Sequence, residues 1–423
     1  MKEPKLRFKE ENGMQFPDWE KSKFSDVFDN INNSTFSRDC LNYVDGNVKY
    51  IHYGDILTTF DSIVNVEASD VPYVNKDIDC QKYQLLADGD IIVADTAEDD
   101  TVGKAVEIVS ASNVKVISGL HTIACRPKLK FTSGYLGYYM NSNPYHNQLR
   151  PYMQGVKVTS ISKANIALTN VSIPSLPEQQ KIASLFSEID TLIQSAEKEL
   201  EGYRKLKQGM LQRMFPKKGE KVPEIRFPEF TGDWGQSKLG DVGNTYTGLS
   251  GKTADDFGHG EANFITYMNV YSNNIADPTM VSPIEIDAKQ HEVEVGDVFF
   301  TTSSETPDEV GMSCVLKEKQ GIVYLNSFCF GFRPTKSFDL NFLAYMLRSN
   351  YVRNQIKILA QGVSRYNISK AKMMDVSIIF PDYEEQKKIG ECFSNLDNLI
   401  ALQQKELDGY KELKKGLLQQ MFC

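Results

Sequence analysis

The sequence predicts an α+β protein: two globular bodies joined by two long α-helices that form a coiled coil, with a pseudo-two-fold internal repeat. Three observations lead to this fold class. Two long segments of the 423-residue chain align without gaps at an offset of 207 residues, each carries a heptad repeat of apolar residues, and each follows a stretch of mixed strand-like and helical sequence. A unit that occurs twice accounts for all three.

The repeat is strongest in the two helical segments. PSLPEQQKI at 174–182 matches PDYEEQKKI at 381–389, and KELEGY at 198–203 matches KELDGY at 405–410. The same offset continues upstream with weaker identity, for example QGV at 154–156 and at 361–363. A lead-in with Arg-Phe and tryptophan precedes each body, at Arg7 and Trp19 and again at Arg226 and Trp234. Each unit therefore consists of a lead-in, a body and a long helix.

Both helical segments carry two interleaved apolar series with a period of seven, the pattern of a coiled-coil seam. Neither helix can bury such a seam alone, so the two are expected to pack on each other. Lys207 and Lys414 interrupt the seam at equivalent positions, where a lysine either fixes the register or extends outward to solvent. The residues predicted to pack the arms or meet a partner are Ile182, Phe186, Ile189, Ile193, Leu200, Tyr203, Met210, Ile389, Phe393, Leu396, Ile400, Leu407, Tyr410 and Leu417.

The start of each arm has the spacing of a capping box, Ser175 with Glu178 and Asp382 with Glu385. Gly202 and Gly409 stand inside the predicted helices, where a glycine costs about 1 kcal/mol relative to alanine. A close crossing of the two helices is one explanation for these glycines.

The bodies mix short β-like runs, such as 90–94 and 297–301, with one helical stretch each, Leu136–Leu149 and Phe342–Ile356. These patterns divide the chain into six segments. They are a lead-in at 1–22, a first body at 23–174, a first arm at 175–217, a linker with the second lead-in at 218–237, a second body at 238–381 and a second arm at 382–423.

Composition narrows the class of protein. No run of about 18 apolar residues is present, which argues against a membrane-spanning helix, and the charged N-terminal residues lack the apolar core of a secretory signal. The seven cysteines are scattered and odd in number, as expected of reduced thiols in the cytoplasm.

Charge is unevenly distributed around the net value of −9. Residues 24–100 carry 4 basic and 16 acidic side chains, whereas residues 101–170 carry 8 basic and 1 acidic. The second copy repeats the order, with 3 basic and 10 acidic at 235–300 and 10 basic and 6 acidic at 301–380. This order is either ordinary variation or the mark of two positive faces on an acidic body.

Over nearly its whole length, the sequence resembles the specificity subunit of a Type I restriction–modification system. The resemblance rests on the helix starts EQQKI at 178–182 and EQKKI at 385–389, the tails KQGMLQRMF at 207–215 and KKGLLQQMF at 414–422, and the lead-in EIRFPEF at 224–230 with GDW at 232–234. It implies that the two bodies are target-recognition domains, each reading half of a split asymmetric DNA site. It also implies that the two arms are antiparallel helices that set the gap and bind two modification subunits. Restriction subunits then join the assembly. The resemblance also implies a non-catalytic chain without a cofactor of its own, with S-adenosylmethionine, ATP and Mg on the partner subunits.

Two matching loops, QGVKVTSISK at 154–163 and QGVSRYNISK at 361–370, are the first candidates for DNA contact, because each offers an amide, a cation and hydroxyls within a basic sub-region. Their shared residues either shape a common turn or contact DNA, whereas the residues that differ are better suited to reading different bases. The segments 95–98 and 301–307 come second, and Tyr50, Tyr53 and Tyr267 fit a core better than base stacking. The residues predicted to contact DNA are Gln154, Lys157, Thr159, Ser160, Lys163, Gln361, Ser364, Arg365, Tyr366, Lys370, Thr301 and Ser303.

No catalytic or metal-binding constellation is predicted. GLSGKT at 248–253 has two residues between its glycines where a phosphate-binding loop needs four. SNPY at 142–145 lacks the second proline of the amino-methyltransferase motif and becomes SNYV in the second copy, which favours a helix cap. His121 and Cys125 have no second ligand pair nearby, and His121 matches Phe328 in the second copy.

Two other classes of protein stay open. An internally duplicated methyltransferase or nuclease would bind S-adenosylmethionine itself and needs a glycine-rich strand–turn, which the sequence lacks. A coiled-coil scaffold for ligands other than DNA would give an assembly with no sequence preference in DNA binding.

Overall fold

A computed structural model describes residues 3–155 and 157–423; Val156, in the first candidate loop, lies outside the described residues. The chain forms two compact units. The first comprises Met1–Glu197 with Lys405–Cys423, and the second comprises Lys198–Gln404. Each long helix therefore contributes one part to each unit. Among the described helices, none combines the length and the hydropathy that a membrane span requires.

The first unit contains thirteen described strands and six described helices, the last of which continues into the second unit. The strands are β1 (Glu20–Lys23), β2 (Phe28–Ile31), β3 (Leu41–Asn42), β4 (Lys49–Ile51), β5 (Ile63–Asn65), β6 (Tyr73–Val74), β7 (Ile91–Ala94), β8 (Thr96–Ala97), β9 (Ala105–Val109), β10 (Val116–Ser118), β11 (Thr122–Pro127), β12 (Thr159–Ser160) and β13 (Asn170–Ile173). The helices are α1 (Phe24–Val27), α2 (Tyr53–Thr58), α3 (Tyr135–Met140), α4 (Asn143–Leu149), α5 (Lys163–Ile166) and α6 (Leu176–Arg213).

The second unit repeats this order with fewer strands among its described residues. The strands are β14 (Gly235–Lys238), β15 (Gly243–Thr247), β16 (Phe257–Ile265), β17 (Val281–Ile284), β18 (Val298–Thr301), β19 (Ser303–Ser304), β20 (Ser313–Val315), β21 (Val323–Leu325), β22 (Cys329–Pro334), β23 (Tyr366–Asn367) and β24 (Ser377–Phe380). The helices are α7 (Tyr267–Ser272), α8 (Leu340–Arg348), α9 (Asn350–Leu359), α10 (Lys370–Met374) and α11 (Tyr383–Gln420).

The two bodies share one strand order, but among the described residues each of the two larger sheets has one edge strand fewer in the second body. The main sheet of the first body has the order β2-β11-β7-β9-β5, and that of the second has the order β15-β22-β18-β20. A second sheet follows in each, β10-β4-β6-β3 and β17-β16-β21. The strands β7 and β18 lie inside the main sheets, and all four residues of each are buried, which explains why their sequences are continuous apolar runs rather than alternating ones.

The predicted single helix of each body is divided in two. Ser142 stands between α3 and α4 in extended conformation, and its hydroxyl accepts a hydrogen bond from the Tyr145 backbone N–H. Ser349 takes the same place between α8 and α9. A serine in N-cap conformation ends the first helix and starts the next, so the continuous helices predicted at 136–149 and 342–356 are wrong. The interpretation of SNPY as a helix cap is confirmed.

The arm helices α6 and α11 are antiparallel and meet through the heptad seam. Within the first unit, Asp190 of α6 pairs with Lys414 of α11 at 2.5 Å, and Glu197 pairs with Lys411 at 2.8 Å. Lys207 makes the equivalent ion pair with Asp397 in the second unit. Both seam lysines therefore bind a carboxylate of the opposite arm and do not extend freely to solvent.

The seam residues are covered to different degrees. Those predicted residues that are buried are Ile182, Phe186, Ile189, Leu200, Ile389, Phe393, Leu396 and Leu407, and those that are half-buried are Ile193, Tyr203, Met210, Ile400, Tyr410 and Leu417. Gly202 and Gly409 do not mark a close crossing, because nothing lies within 4 Å of a Cβ built on either. The proposed explanation for these glycines is wrong, and the structure gives no other.

The predicted capping boxes are also wrong. Glu178 is buried and accepts hydrogen bonds from the Arg7 guanidinium at 2.8 Å and from the Trp19 indole at 3.1 Å. The Ser175 hydroxyl is buried and has no hydrogen-bond partner among the described residues. Glu385 likewise binds Arg226 at 2.8 Å. A bidentate guanidinium is a stronger partner for a buried carboxylate than one backbone N–H, so the lead-in displaces the local cap.

Each arm ends in the core of a body. Phe422 packs against Trp19 and Phe186 in the first unit, with ring centroids 6.4 and 5.7 Å apart. Phe215 packs against Trp234 and Phe393 in the second, at 6.2 and 5.9 Å. Apolar burial of this kind is the main source of stability, so the tail of one repeat completes the core that contains the start of the other arm.

Candidate nucleic-acid interface

The first- and second-choice segments of each body form one two-stranded ribbon. In the first body β8 pairs antiparallel with β12, with Ser160 opposite Thr96. In the second body β19 pairs antiparallel with β23, with Asn367 opposite Ser303. We call these pairs, together with the adjoining described residues 154–155, 157–158 and 361–365, ribbon 1 and ribbon 2. Segments about 60 residues apart in sequence thus meet at one surface feature of each body.

The shared Gln-Gly of each loop closes the tip of its ribbon. Gln154 and Ser160 exchange two backbone hydrogen bonds of 3.0 and 2.8 Å, and Gln361 and Asn367 exchange two of 2.9 and 2.8 Å. Gly155 and Gly362 have φ values of 124° and 145°, which L residues rarely adopt. These glycines shape the common turn, which agrees with the interpretation that shared residues of the loops have a structural role.

The shared Ile-Ser-Lys at the base of each ribbon is also largely structural. Ile161 and Ile368 are buried, each 4% exposed. The Ser162 hydroxyl caps α5 by accepting the Asn165 N–H at 3.1 Å, and Ser369 caps α10 by accepting the Lys372 N–H at 3.3 Å. Ser162, Lys163 and Ser369 are exposed and Lys370 is half-buried, so the serines and lysines of these motifs remain at the surface.

The predicted contact residues differ in their access to solvent. Those that are exposed are Gln154, Lys157, Ser160, Lys163, Gln361, Ser364 and Arg365, and those that are half-buried are Thr159, Tyr366, Lys370 and Ser303. Thr301 is fully buried, and its hydroxyl accepts the Met312 N–H at 2.9 Å. Its inclusion among the contact residues is therefore wrong: it belongs to the inner strand β18, one residue before the chain reaches the surface.

Two tyrosines of α7, Tyr267 and Tyr271, lie beside ribbon 2, which the sequence did not indicate. The Tyr267 hydroxyl donates to the Ser303 carbonyl at 3.1 Å, and its ring stacks on Tyr271 at 6.0 Å. Tyr271 donates to Glu309 at 2.6 Å, a hydrogen bond that lowers the pKa of that carboxyl group. Tyr50 is fully buried as expected, whereas Tyr53 and Tyr267 are only half-buried. Tyr271 and Glu309 have no motif in the sequence that would have identified them.

Part of the basic excess serves the interior rather than a surface. Arg126 binds Asp90 at 2.7 Å and Arg333 binds Asp297 at 2.8 Å, and both carboxylates are 1% exposed. Arg353 donates to the Gly311 and Val310 carbonyls, both at 2.7 Å, and its burial lowers its pKa to about 10. The positive charge available to a ligand is therefore smaller than the composition suggests. Lys157 and Arg365 are exposed on the ribbons, and Lys163 is exposed at the start of α5.

His121 and Cys125 do not share a site. Cys125 lies in β11 and is fully buried, which raises the pKa of its thiol to about 12. The His121 side chain is 47% exposed at the turn before that strand. Among the residues that the structure describes, no group of three or more His, Cys, Asp and Glu side chains could hold a metal ion.

Comparison with known proteins gives a consistent result. The sequence pattern of the family "Type I restriction modification DNA specificity domain" matches residues 17–202 and 231–410. A protein of Methanocaldococcus jannaschii, named as the specificity subunit of type I restriction enzyme MjaX, is 25% identical over 416 residues, which cover 95% of this chain and 92% of the relative. The MjaVIII specificity subunit of the same organism is 27% identical over 282 residues, covering 64% and 65%. The crystal structure of a Type I system S subunit from M. genitalium has the same fold, with a TM-score of 0.55, 13% identity and coverage of 100% and 99%.

Proposed function

Because the chain belongs to the Type I restriction–modification DNA specificity family, we propose that each body reads one half of a split, asymmetric DNA site through its ribbon. The observation that carries the proposal is the pair of ribbons. They have the same backbone frame, closed by Gly155 and Gly362, but different side chains at the positions between. A common frame with different side chains is what two unlike half-sites require.

The side chains at the two tips suit different base edges. Lys157 in ribbon 1 is an exposed cation, which binds phosphate or the acceptors of guanine. Ribbon 2 has Ser364 at the same position, followed by Arg365 and Tyr366. The Arg365 guanidinium can bind guanine with two hydrogen bonds, and the Tyr366 ring can make aromatic contacts that no described residue of ribbon 1 offers.

Exchange of the ribbon side chains tests this proposal. The fourfold variant K157S/V158R/T159Y/S160N gives the first body the tip of the second while keeping its glycine and its helix cap. We expect the methylation pattern of cells that express the complete system to change in one half-site only. A pattern that is unchanged in both halves would mean that the ribbons only shape a turn, and that bases are read elsewhere.

We further propose that the arms bind two copies of a modification subunit. Four leucines beside the seam support this. Leu192 and Leu399 are equivalent in the repeat and are 44% and 43% exposed, and Leu206 and Leu413 are equivalent and are 50% and 49% exposed. The arms have kept these apolar surface residues although the bodies have diverged. Two matching apolar surfaces suit two copies of one partner.

Stoichiometry tests the arm proposal. The variant L192D/L413D changes both leucines that belong to the first unit, and L206D/L399D changes both that belong to the second. Each should leave one modification subunit bound per chain, as measured by native mass spectrometry. The variant with all four leucines changed to aspartate should leave none. Leu168, 61% exposed on the first body, provides the control L168D, which should keep both. If the variant with all four leucines changed still bound two modification subunits, these leucines would not form the binding surface.

The chain itself is proposed to be non-catalytic. Methyl transfer from S-adenosylmethionine and ATP- and Mg-dependent cleavage are assigned to modification and restriction subunits, and the assembly is assigned to the cytoplasm. The seven cysteines are free thiols, as a reducing compartment favours. Titration of the purified chain with S-adenosylmethionine is the direct test: heat released on binding would support the alternative of a single-chain methyltransferase.

A further inference from the structure

We infer that His121 and Phe328 are a pair of base-contacting residues, one in each body, that occupy the same place and give the two half-sites different chemistry. This inference rests on the proposed function. In the sequence, the spacing of His121 and Cys125 suggests only a metal ligand, and Phe328 at the equivalent position argues against that role. The structure brings both residues next to the ribbons.

The same backbone bridge attaches both residues to their ribbons. In the first body the Asp95 N–H donates to the His121 carbonyl at 3.0 Å, and the Ile161 N–H donates to the Asp95 carbonyl at 2.8 Å. In the second body the Thr302 N–H donates to the Phe328 carbonyl at 3.2 Å, and the Ile368 N–H donates to the Thr302 carbonyl at 3.0 Å. Each bridge runs from the aromatic residue to the isoleucine that follows the second ribbon strand. The aromatic residue therefore lies beside the ribbon that is proposed to contact DNA.

Phe328 is held rigidly although its ring is outside the core. Its N–H donates to the Asn326 side chain at 2.9 Å, and its carbonyl accepts the Thr302 hydroxyl at 2.9 Å. Asn326 is 5% exposed, whereas Phe328 is 63% exposed. A fixed turn that presents a large apolar ring to solvent adds nothing to the core. The same turn is well suited to stacking on a base or contacting a thymine methyl group.

His121 presents a polar ring at the equivalent position. Its Nδ1 lies 3.4 Å from the Asp95 carboxylate and 3.4 Å from the Thr96 hydroxyl, and its ring meets Tyr53 edge-on at 5.3 Å. Its φ of 54° is left-handed, one of two such non-glycine residues in the described chain. Strain of this kind persists where the surroundings hold it in place, often at functional sites. Because Nδ1 is occupied, Nε2 is the atom left for a base edge or a phosphate.

The two residues therefore offer different kinds of contact to the two half-sites. Nε2 of an imidazole exchanges hydrogen bonds with the edge of a base, whereas a benzyl group makes only apolar contacts. Thr96 and Ser303, paired across the ribbons with Ser160 and Asn367, lie within the same surface feature in each body. A change at 121 or 328 should thus alter the half-site read by that body and leave the other half-site unchanged.

Reciprocal exchange tests the inference. The complete modification complex containing wild-type chain, H121F, F328H or F328A is used to select from a pool of random duplex DNA, and the bound sequences are read. We expect H121F to change the preferred base in one half-site, and F328H and F328A to change it in the other, with a loss of discrimination of about 5- to 100-fold at that position. The half-site of the unchanged body is an internal control.

Ile358 supplies a matched control variant. It is 77% exposed and lines the cavity beside the end of the first arm, together with Leu211 and Phe215. I358A should select the same DNA as the wild type. If the wild-type complex selects a bipartite site and all three aromatic variants select that same site equally well, the inference is overturned while the proposed function stands. If the wild-type complex selects no sequence at all, both fail.

Discussion

The carboxylate of Asp190 on the first arm lies 2.5 Å from Nζ of Lys414 on the second, and the Tyr138 hydroxyl of the first body donates to the same carboxylate at 2.8 Å. Asp397 repeats this arrangement with Lys207 and with Tyr345, whose hydroxyl donates at 2.5 Å. One carboxylate thus binds the opposite arm and the adjacent body at once. This explains why a lysine interrupts an otherwise apolar seam at equivalent places.

Breaking one partner of this cluster should destabilise the first unit. Asp190 and Lys414 are only 14% and 16% exposed, so Lys414→Met leaves a largely buried carboxylate without its cation, at a cost of about 3 kcal/mol. The double variant D190L/K414L should recover most of this loss, because both charges are removed together. Each unit contains one of the two tryptophans, so urea unfolding followed by Trp19 fluorescence in a W234F background reports the first unit alone. A K415M control, at a lysine that is 66% exposed, should leave the midpoint unchanged.

Removing the aromatic ring at the end of the second arm should have a larger effect. Phe422 is 3% exposed and contacts four aromatic rings of the first unit. Phe422→Ala is therefore expected to lower the free energy of unfolding by about 3–5 kcal/mol. The same Trp19 assay measures it, with L168A as the exposed control. A loss below about 1 kcal/mol, the level of an ordinary surface change, would mean that the arm end does not complete the core.

Substituting a helix glycine should stabilise the protein. Nothing lies within 4 Å of a Cβ built on Gly409, and the residue is inside α11. Gly409→Ala should add about 1 kcal/mol to the unfolding free energy of the first unit. Gly103 is the opposite case, because its φ is +91° and a Cβ there would lie 2.7 Å from Leu149. G103A should destabilise the unit, and the two variants measured side by side distinguish a gain in helix propensity from the cost of a strained backbone and a crowded side chain.

Glu107 should make the first unit less stable as the pH rises. Its carboxyl group is 2% exposed and accepts the backbone N–H groups of Gly134 at 2.6 Å and Gly137 at 2.9 Å, and burial raises its pKa from 4.5 to about 7. Between these two values the folded state binds more protons than the unfolded state. The stability that Glu107 contributes is therefore complete below pH 4.5 and is lost as the pH rises through 7.

The size of this effect is about 3 kcal/mol at most, and its test is the pH dependence of the urea midpoint. Glu107→Gln should flatten the profile between pH 4.5 and 7. Cys314 replaces this glutamate in the second unit, so the transition followed by Trp234 should lack this contribution. A wild-type profile that is equally flat for both tryptophans would contradict the prediction.

The architecture could be predicted from the sequence because it depends on periodic and repeated features. A heptad pattern specifies a seam wherever it occurs, and a repeat at 207 residues specifies that the seam has a partner. The same local rules failed where a distant residue offered a better interaction. Glu178 has the spacing of a capping box but binds Arg7, which is 171 residues away in the chain.

Only part of the candidate interface could be predicted from the sequence. The loops at 154–163 and 361–370 could be found because they align, yet nothing in the sequence indicated that Thr96 lies opposite Ser160. His121 and Phe328 align with each other but share no side-chain chemistry, so the alignment alone gave no reason to consider them. Their significance comes from the bridge through Asp95 and Thr302.

The sequence by itself determined the repeat, the paired arms and the division into two bodies, because each follows from local pattern and from the need to bury an apolar stripe. Only the tertiary structure decided which charged side chains are used internally, which loops form a ribbon and which aromatic rings face solvent. Those outcomes depend on contacts between residues far apart in the chain, where a buried carboxylate or an unpaired N–H takes the best partner in space, whatever its position in sequence.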